Sequence, residues 1–308
     1  MPLLVGGGTS PQPQPTPIPQ PTPVGEYVPT WIDPDGVVWE LNPPGTDMFT
    51  LNSVSGYGIT PVEVVTEADA RGGSRVRSIR PQERVLTWPV RIRDTTHLAF
   101  LGKWRALGES FAATRTRGPG LFRLTRPDGT AREVLAYYQS GWDGEPGQGH
   151  TEDTPVLSLL CPDPFWRDSE PTVLERQYGE SVDYLNPYPN LSSGDVLGDT
   201  ELTNPGSVEA WPEWTITGPA TQVVATNHTV GKQFTLAHTL TAGQQIRITT
   251  RPGRVLGPTG LPLAGALQRP GSTLWRMAPG PNRITFAVTG GSAGTSIRME
   301  FHARYETA

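Results

Sequence analysis

Apolar and polar residues alternate in short runs along much of this chain, the period of strands that bury one face. The clearest case is 296–305, where Ile297, Met299, Phe301, Ala303 and Tyr305 share one face. Residues 244–249 repeat the pattern with Ile246 and Ile248. The same reading predicts strands over 37–41, 48–54, 62–66, 85–93, 121–125, 132–139, 155–161 and 172–178. It predicts further strands over 213–217, 221–225, 233–236, 272–276 and 282–288, at the spacing of a sandwich. Turn chemistry punctuates them: Asp33-Pro34-Asp35-Gly36 and Arg126-Pro127-Asp128-Gly129 are Pro-Asp-Gly corners. Residues 182–202, with Asn186-Pro187-Tyr188-Pro189-Asn190, read as irregular.

One window changes period. Leu98, Leu101, Trp104, Leu107 and Phe111 recur at steps of three and four, with Phe100 and Ala106 widening the stripe. Asp94, Thr95 and Thr96 offer N-caps, so a helix is predicted over 94–113, covering one open side of a small sheet.

Two segments carry neither period. In 11–23, PQPQPTPIPQPTP, every second residue is proline. Proline fixes its own φ and extends the residue before it, so this is an extended arm reaching about 40 Å at ~3.1 Å per residue. It reads as a linker, as an arm lying on a neighbouring subunit, or as a proline-rich ligand. The other segment, 67–84, is rich in Arg, Gly and Ser around Gly72-Gly73 and reads as a long protruding hairpin or loop. Its arginines, Arg71, Arg75, Arg77, Arg80 and Arg84, fall near alternate positions, with Arg75 and Arg77 on one face of an extended strand. They make a solvated edge, an inter-subunit contact, or a lining that faces a nucleic acid passage.

Composition narrows the class. The 308 residues suffice for two domains, and glycine (35) and proline (33) together suit many short strands joined by turns. A formal net charge of −5 disfavours direct phosphate binding by the chain as a whole. Positive charge is almost all arginine, with lysine only at Lys103 and Lys232. The single cysteine, Cys161, rules out an internal disulfide and reads as a small buried hydrophobe in VLSLLC. The opening MPLLVGGG lacks the basic flank and the length of a secretory signal.

A search for chemistry finds little. No GxxxxGK[ST] loop, HExxH pair, CxxC pair or EF-hand loop occurs. His97, His150, His228, His238 and His302 are scattered. Glu152 with Asp153, and Asp163 with Asp168, are carboxylate pairs of the kind a glycosidase needs, but they sit in turn-rich loops. Trp211 and Trp214 lie three apart and so face opposite ways on a strand, one toward the core and the other free for an interface or a sugar. The expectation is no catalysis, no cofactor and no metal.

The order of motifs is then informative. A strand-rich first part with one helix ends in Cys161-Pro162-Asp163-Pro164-Phe165-Trp166, and a second part opens with NPGSVEAWPEWTITGP. Asn204, Gly206, Pro212, Ile216 and Gly218, then Pro279, Gly280, Asn282, Ile284 and Phe286, mark corners leading into strands. This order resembles the distal tail protein family of long-tailed (siphovirus-type) bacteriophages, over about residues 30–308. The resemblance implies a mainly β fold: a proline-rich arm (1–28), an N-terminal β-barrel or sandwich-like ring domain (29–168) with the helix, and a C-terminal galectin-like β-sandwich (169–308). It implies a structural virion protein of the tail tip, assembled in the host cytoplasm. In that reading it forms a homohexameric ring around the DNA channel without specific DNA binding. The implied partners are the major tail tube protein, the tape measure protein, the tail hub or tail-associated lysin, and adhesion or receptor-binding proteins. The helix over 94–113 and the hairpin around 67–84, with Arg71, Gly72, Gly73, Arg75, Arg77, Arg80 and Arg84 as its assembly residues, match the family's ring-forming domain in order; the alternative is a carbohydrate-binding, lectin-like adhesin module.

Overall fold

The structure is a computed structural model that describes residues 27–41, 48–50, 54–144, 146–147, 149–179 and 196–308. Most of the arm and residues 182–195 of the stretch predicted as irregular lie outside the described residues.

The first unit contains β1 (Val28–Ile32), β2 (Val38–Glu40), β3 (Met48–Thr50), β4 (Val62–Ala68), β5 (Ser74–Pro81) and β6 (Arg84–Arg93). After helices α1 (His97–Ala112) and α2 (Thr114–Arg117) come β7 (Gly120–Thr125), β8 (Ala131–Ser140), β9 (Glu152–Asp153), β10 (Val156–Cys161) and β11 (Trp166–Asp168). Its main sheet runs β2-β1-β7-β8-β10-β6-β3, antiparallel at every step. Trp31 stands opposite Phe122, and Phe122 opposite Val134, so these three strands turn one face to a core shared with Trp88, Leu159 and Trp166.

Helix α1 closes that core. Thr96 caps it, its hydroxyl accepting from the Ala99 N–H at 3.3 Å. Phe100, Leu107 and Phe111 are buried, with Leu101 and Trp104 packed against the same cluster. The predicted stripe is rotated at its start: Leu98 is 79% exposed and Ala106 is exposed. Nine residues separate Leu98 from Leu107, which at 100° each is about 180°, the opposite side of the helix. Phe100 fixes the buried face instead.

The second unit comprises β12 (Thr172–Gln177), β13 (Val196–Asn204), β14 (Glu213–Thr217), β15 (Ala220–Asn227), β16 (Lys232–Leu240), β17 (Gln245–Thr250), β18 (Gly253–Leu256), β19 (Gly280–Thr289), β20 (Ser296–Phe301) and β21 (Arg304–Tyr305). Two sheets, β12-β20-β14-β17-β18 and β13-β19-β15-β16, enclose its core. Trp214 of the first sheet meets Phe234 and Phe286 of the second edge-on, at centroid distances of 5.3 and 5.8 Å. That is the favoured geometry for aromatic pairs.

Four departures from the sequence reading have physical causes. Residues 272–276 form no strand, because the Ser272 hydroxyl takes the Thr235 N–H (2.9 Å) that a ladder partner would take. Trp275 is nevertheless buried, its indole donating to the Ala225 carbonyl at 3.0 Å. Part of the stretch predicted as irregular is β13, whose alternation is broken by a register shift at Gly198. Residues 166–168 add a strand where a corner was expected. Last, 296–305 is not one strand: β20 ends at Phe301, and β21 leaves the sandwich to pair with β11 of the first unit.

Candidate assembly surfaces

Strands β4 and β5 pair only with each other, so the predicted hairpin exists and forms no ladder with any of the three larger sheets. Its turn is Asp69–Gly73: the Asp69 carboxylate accepts from the Arg71 N–H at 3.0 Å, and Gly72 and Gly73 have φ of +95° and +81°, open to glycine at no steric cost. Cross-strand pairs sort the hairpin into two faces. Glu63 faces Arg80 and Glu67 faces Arg75 on one side. Val62 with Pro81, Val64 with Ile79, and Thr66 with Val76 occupy the other. A bulge makes this possible, because the extra residue Arg77 shifts the register between Val65 and Thr66 and keeps Val76 in line with Ile79. Arg77 reaches Glu67 at 2.6 Å and Arg75 lies 3.8 Å from Asp69, both exposed pairs of small energetic weight. Among the described residues nothing covers the apolar face: Val62, Val64, Val76 and Ile79 are 51, 48, 53 and 61% exposed.

Arg84 does not belong with these arginines. It is 1% exposed, and all five of its N–H groups are used. Nε donates to the Pro164 carbonyl (2.6 Å), Nη1 to the carbonyls of Gly56 (2.5 Å) and Gly58 (2.7 Å), and Nη2 to the Thr60 hydroxyl (3.1 Å) and the Glu306 carbonyl (2.8 Å). An arginine enclosed by its own chain cannot meet a neighbouring subunit, so the sequence-based grouping of Arg84 with the assembly residues is corrected. Burial lowers its pKa from the ordinary guanidinium value. The adjacent Cys161 thiol is also buried, and desolvation pushes it up to about 12, partly opposed by the Arg84 charge.

Corner motifs converge on the same junction. Asp163 receives two bonds from Arg304, at 2.5 and 2.6 Å, and Arg304 also donates to the Glu209 carbonyl at 3.0 Å. Phe165 lies under the Arg304 guanidinium, and Trp166 is fully buried beside Tyr57. Pro162 is exposed at the corner. Asn204, 1% exposed, holds the carbonyls of Val208 and Met277 and accepts from the Gly206 N–H at 2.9 Å. A Cβ on Gly206 would come within 2.4 Å of the Arg304 carbonyl oxygen, so only glycine fits. Pro212 accepts from the Thr250 hydroxyl, and a Cβ on Gly218 would meet Thr241 and Leu240 at 2.6 Å. Gly280 turns at φ +83°, and the fully buried Asn282 ties the carbonyls of Ala278 and Gly280 at 2.8 and 2.9 Å. Each of these motif residues builds the fold.

The carboxylates considered for hydrolysis are likewise engaged: Glu152 with Arg91, Asp153 with the Trp104 indole, and Asp168 with the Tyr305 hydroxyl. Among the described residues no group of three or more His, Cys, Asp or Glu side chains is arranged to hold a metal ion. Trp214 is the core tryptophan; Trp211 is half-buried with the Arg251 guanidinium 5.6 Å above its ring.

Sequence reading missed one surface. On the outer side of the main sheet, Ile32 lies opposite Leu121 and Leu121 opposite Leu135; two residues further along β8, Tyr137 lies opposite Leu160, which lies opposite Val85. The result is an apolar row crossing five strands, with Leu135 and Val85 each 39% exposed. Its signal was present: a strand solvated on one side alternates, whereas Val134-Leu135-Ala136 and Leu159-Leu160-Cys161 are apolar on both sides.

These features define a two-unit, mostly β scaffold whose polar residues hold corners and junctions. Residues 205–305 match the family model described as siphovirus-type tail component, C-terminal domain. Among solved structures, the chain is similar to the Dit protein of phage SPP1, at a TM-score of 0.61 and 15% identity, covering 91% of this chain and 99% of that one. It is also similar to a chain of the phage p2 baseplate in its activated conformation with strontium, at a TM-score of 0.56 and 10% identity, covering 92 and 100%. No curated protein sequence matches it.

Proposed function

We propose that the chain is a structural subunit of a phage tail tip. Six copies close head to tail into a ring around the DNA channel, residues 29–168 forming the ring and 169–308 facing outward. The ring joins the tail tube to the hub and adhesion proteins. The observation that carries this reading is the fold correspondence over nine-tenths of the chain to SPP1 Dit, described as a paradigm of hub adsorption apparatus, and to a p2 baseplate chain. A protruding hairpin with an uncovered apolar face supports it, because closed head-to-tail assembly needs two different complementary surfaces on each copy. Negative-stain images of the purified chain and of tail tips carrying it are expected to show six-fold rings. A strict monomer in solution together with absence from the tail tip would overturn the reading.

A further inference from the structure

Among the described residues, two apolar surfaces of matching character on different elements stand unpartnered. One is the hairpin face of Val62, Val64, Val76 and Ile79; the other is the row Ile32, Leu121, Leu135, Tyr137, Leu160 and Val85 on the outer side of the main sheet. A two-stranded hairpin on its own is marginally stable in water, so a hairpin that projects an aliphatic face gains order by covering that face. At ~4.8 Å between strands, the row spans about 20 Å across the sheet, wide enough to seat a hairpin of two strands.

We infer that the apolar face of the β4–β5 hairpin of one copy packs on the outer-sheet row of the next copy, in a heterologous contact. This deepens the ring reading and rests on it. The exposures agree with a shared contact: Val62, Val64, Val76 and Ile79 on the hairpin are 51, 48, 53 and 61% exposed, and Leu135 and Val85 on the row are each 39% exposed, whereas the core of a specific interface is apolar and buried. At the rim the hairpin presents Glu63, Glu67, Arg75 and Arg80, and the sheet presents Arg123 and Arg167, which share the buried Glu133. Because donor and acceptor patches differ, each copy gives one and receives one, and the contact propagates until the ring closes.

Cysteine pairing tests this with little background, since the native Cys161 is fully buried. In the full chain, Ile79→Cys and Leu135→Cys together are expected to give a ladder of disulfide-linked oligomers on a non-reducing gel under mild oxidant. Each single variant is expected to give none. Dimers from either single variant would mean like-with-like pairing and overturn the inference. So would a double variant that stays unlinked while the unaltered chain forms rings, a result that leaves the ring reading intact. A second experiment uses charge. Val64→Asp and Leu135→Asp variants, each with an unfolding transition within a few degrees of the native chain, are expected to be monomers alone and to form only dimers when mixed in equal amounts. A mixture that remains monomeric, or variants that still close rings alone, would overturn the pairing. If the unaltered chain is a monomer in every assay, the ring reading itself fails along with the inference.

Discussion

The junction around Arg84 and the hairpin just before it in the chain use arginine in opposite ways. At the junction, one guanidinium fills five acceptors from the 56–60 loop, the Pro164 corner and the returning C-terminus, and Arg304 clamps Asp163 beside it. In the hairpin, Arg77 and Glu67 meet while 62 and 53% exposed. Burial makes the first set decisive for stability, because an orphaned buried acceptor costs about 1–3 kcal/mol. Solvent makes the second nearly silent in the single chain. What the hairpin lacks, among the described residues, is cover for its apolar face, and that is the ground for the contact with another copy proposed above.

The strongest way to break this comparison is Arg84→Met. It removes every donor at once and is expected to destabilise the chain by about 4 kcal/mol. Arg84→Lys, with three donors for five acceptors, falls between the two. Urea unfolding of the dilute chain measures both; an Arg84→Met loss under about 1 kcal/mol would show that the cage is incidental. The cage also constrains any hairpin deletion. Removing 67–84 would take Arg84 with it and confuse folding with assembly, whereas a deletion confined to 63–80 leaves the junction whole.

Why the junction was hidden while the hairpin was legible follows from distance in sequence. The hairpin declares itself locally, through Gly72-Gly73 and the flanking runs, and so do the Pro-Asp-Gly corners and the helix. Arg84 follows the hairpin arginines at similar spacing, and nothing local marks it as buried. Its acceptors lie from 24 to 222 residues away and converge only in the fold. The same holds for the C-terminus: alternation through 296–305 predicts one strand, but Tyr305 turns to Asp168 and Ala308 donates to the Tyr57 carbonyl at 3.0 Å. Apolar patterning reports which residues leave water, and it does not say which of two cores receives them. The outer row was legible in principle, as consecutive apolar residues in β8 and β10, yet the same pattern describes a strand buried on both sides.

A smaller effect sharpens the junction side through pH. The Cys161 thiol, ordinarily near 9, is held neutral up to about 12 by desolvation. The unfolded chain therefore releases its proton first. The stability contributed by the buried neutral thiol is complete below pH 9 and is lost as pH rises through the window to about 12. The slope approaches 1.4 kcal/mol per pH unit, or about 1 kcal/mol lost by pH 10. Burial of Tyr57 adds a loss of the same sign only above its own ordinary value of 10. Unfolding midpoints followed from pH 8 to 10 are thus expected to fall in the native chain and to stay flatter in Cys161→Ala, whatever that variant loses in packing. Equal slopes in the two proteins would remove the buried thiol as the cause.

The smallest effect lies on the hairpin side. Arg77→Ala breaks the ion pair with Glu67, and the unfolding free energy of the dilute monomer is expected to move by less than about 0.5 kcal/mol, because both partners are solvated before and after. Glu67→Ala is expected to do the same, and the double variant to lose no more than about 0.5 kcal/mol in all, since the coupling of an exposed ion pair is that small. A loss of about 2 kcal/mol from either change would mean that the hairpin's charged face helps hold the monomer together. The hairpin would then belong with the junction as part of the chain's own fold. Near-silence in the monomer, against a large loss at Arg84, is what the proposed contact of the hairpin with another copy requires, because its charged face then contributes little to the single chain's own fold.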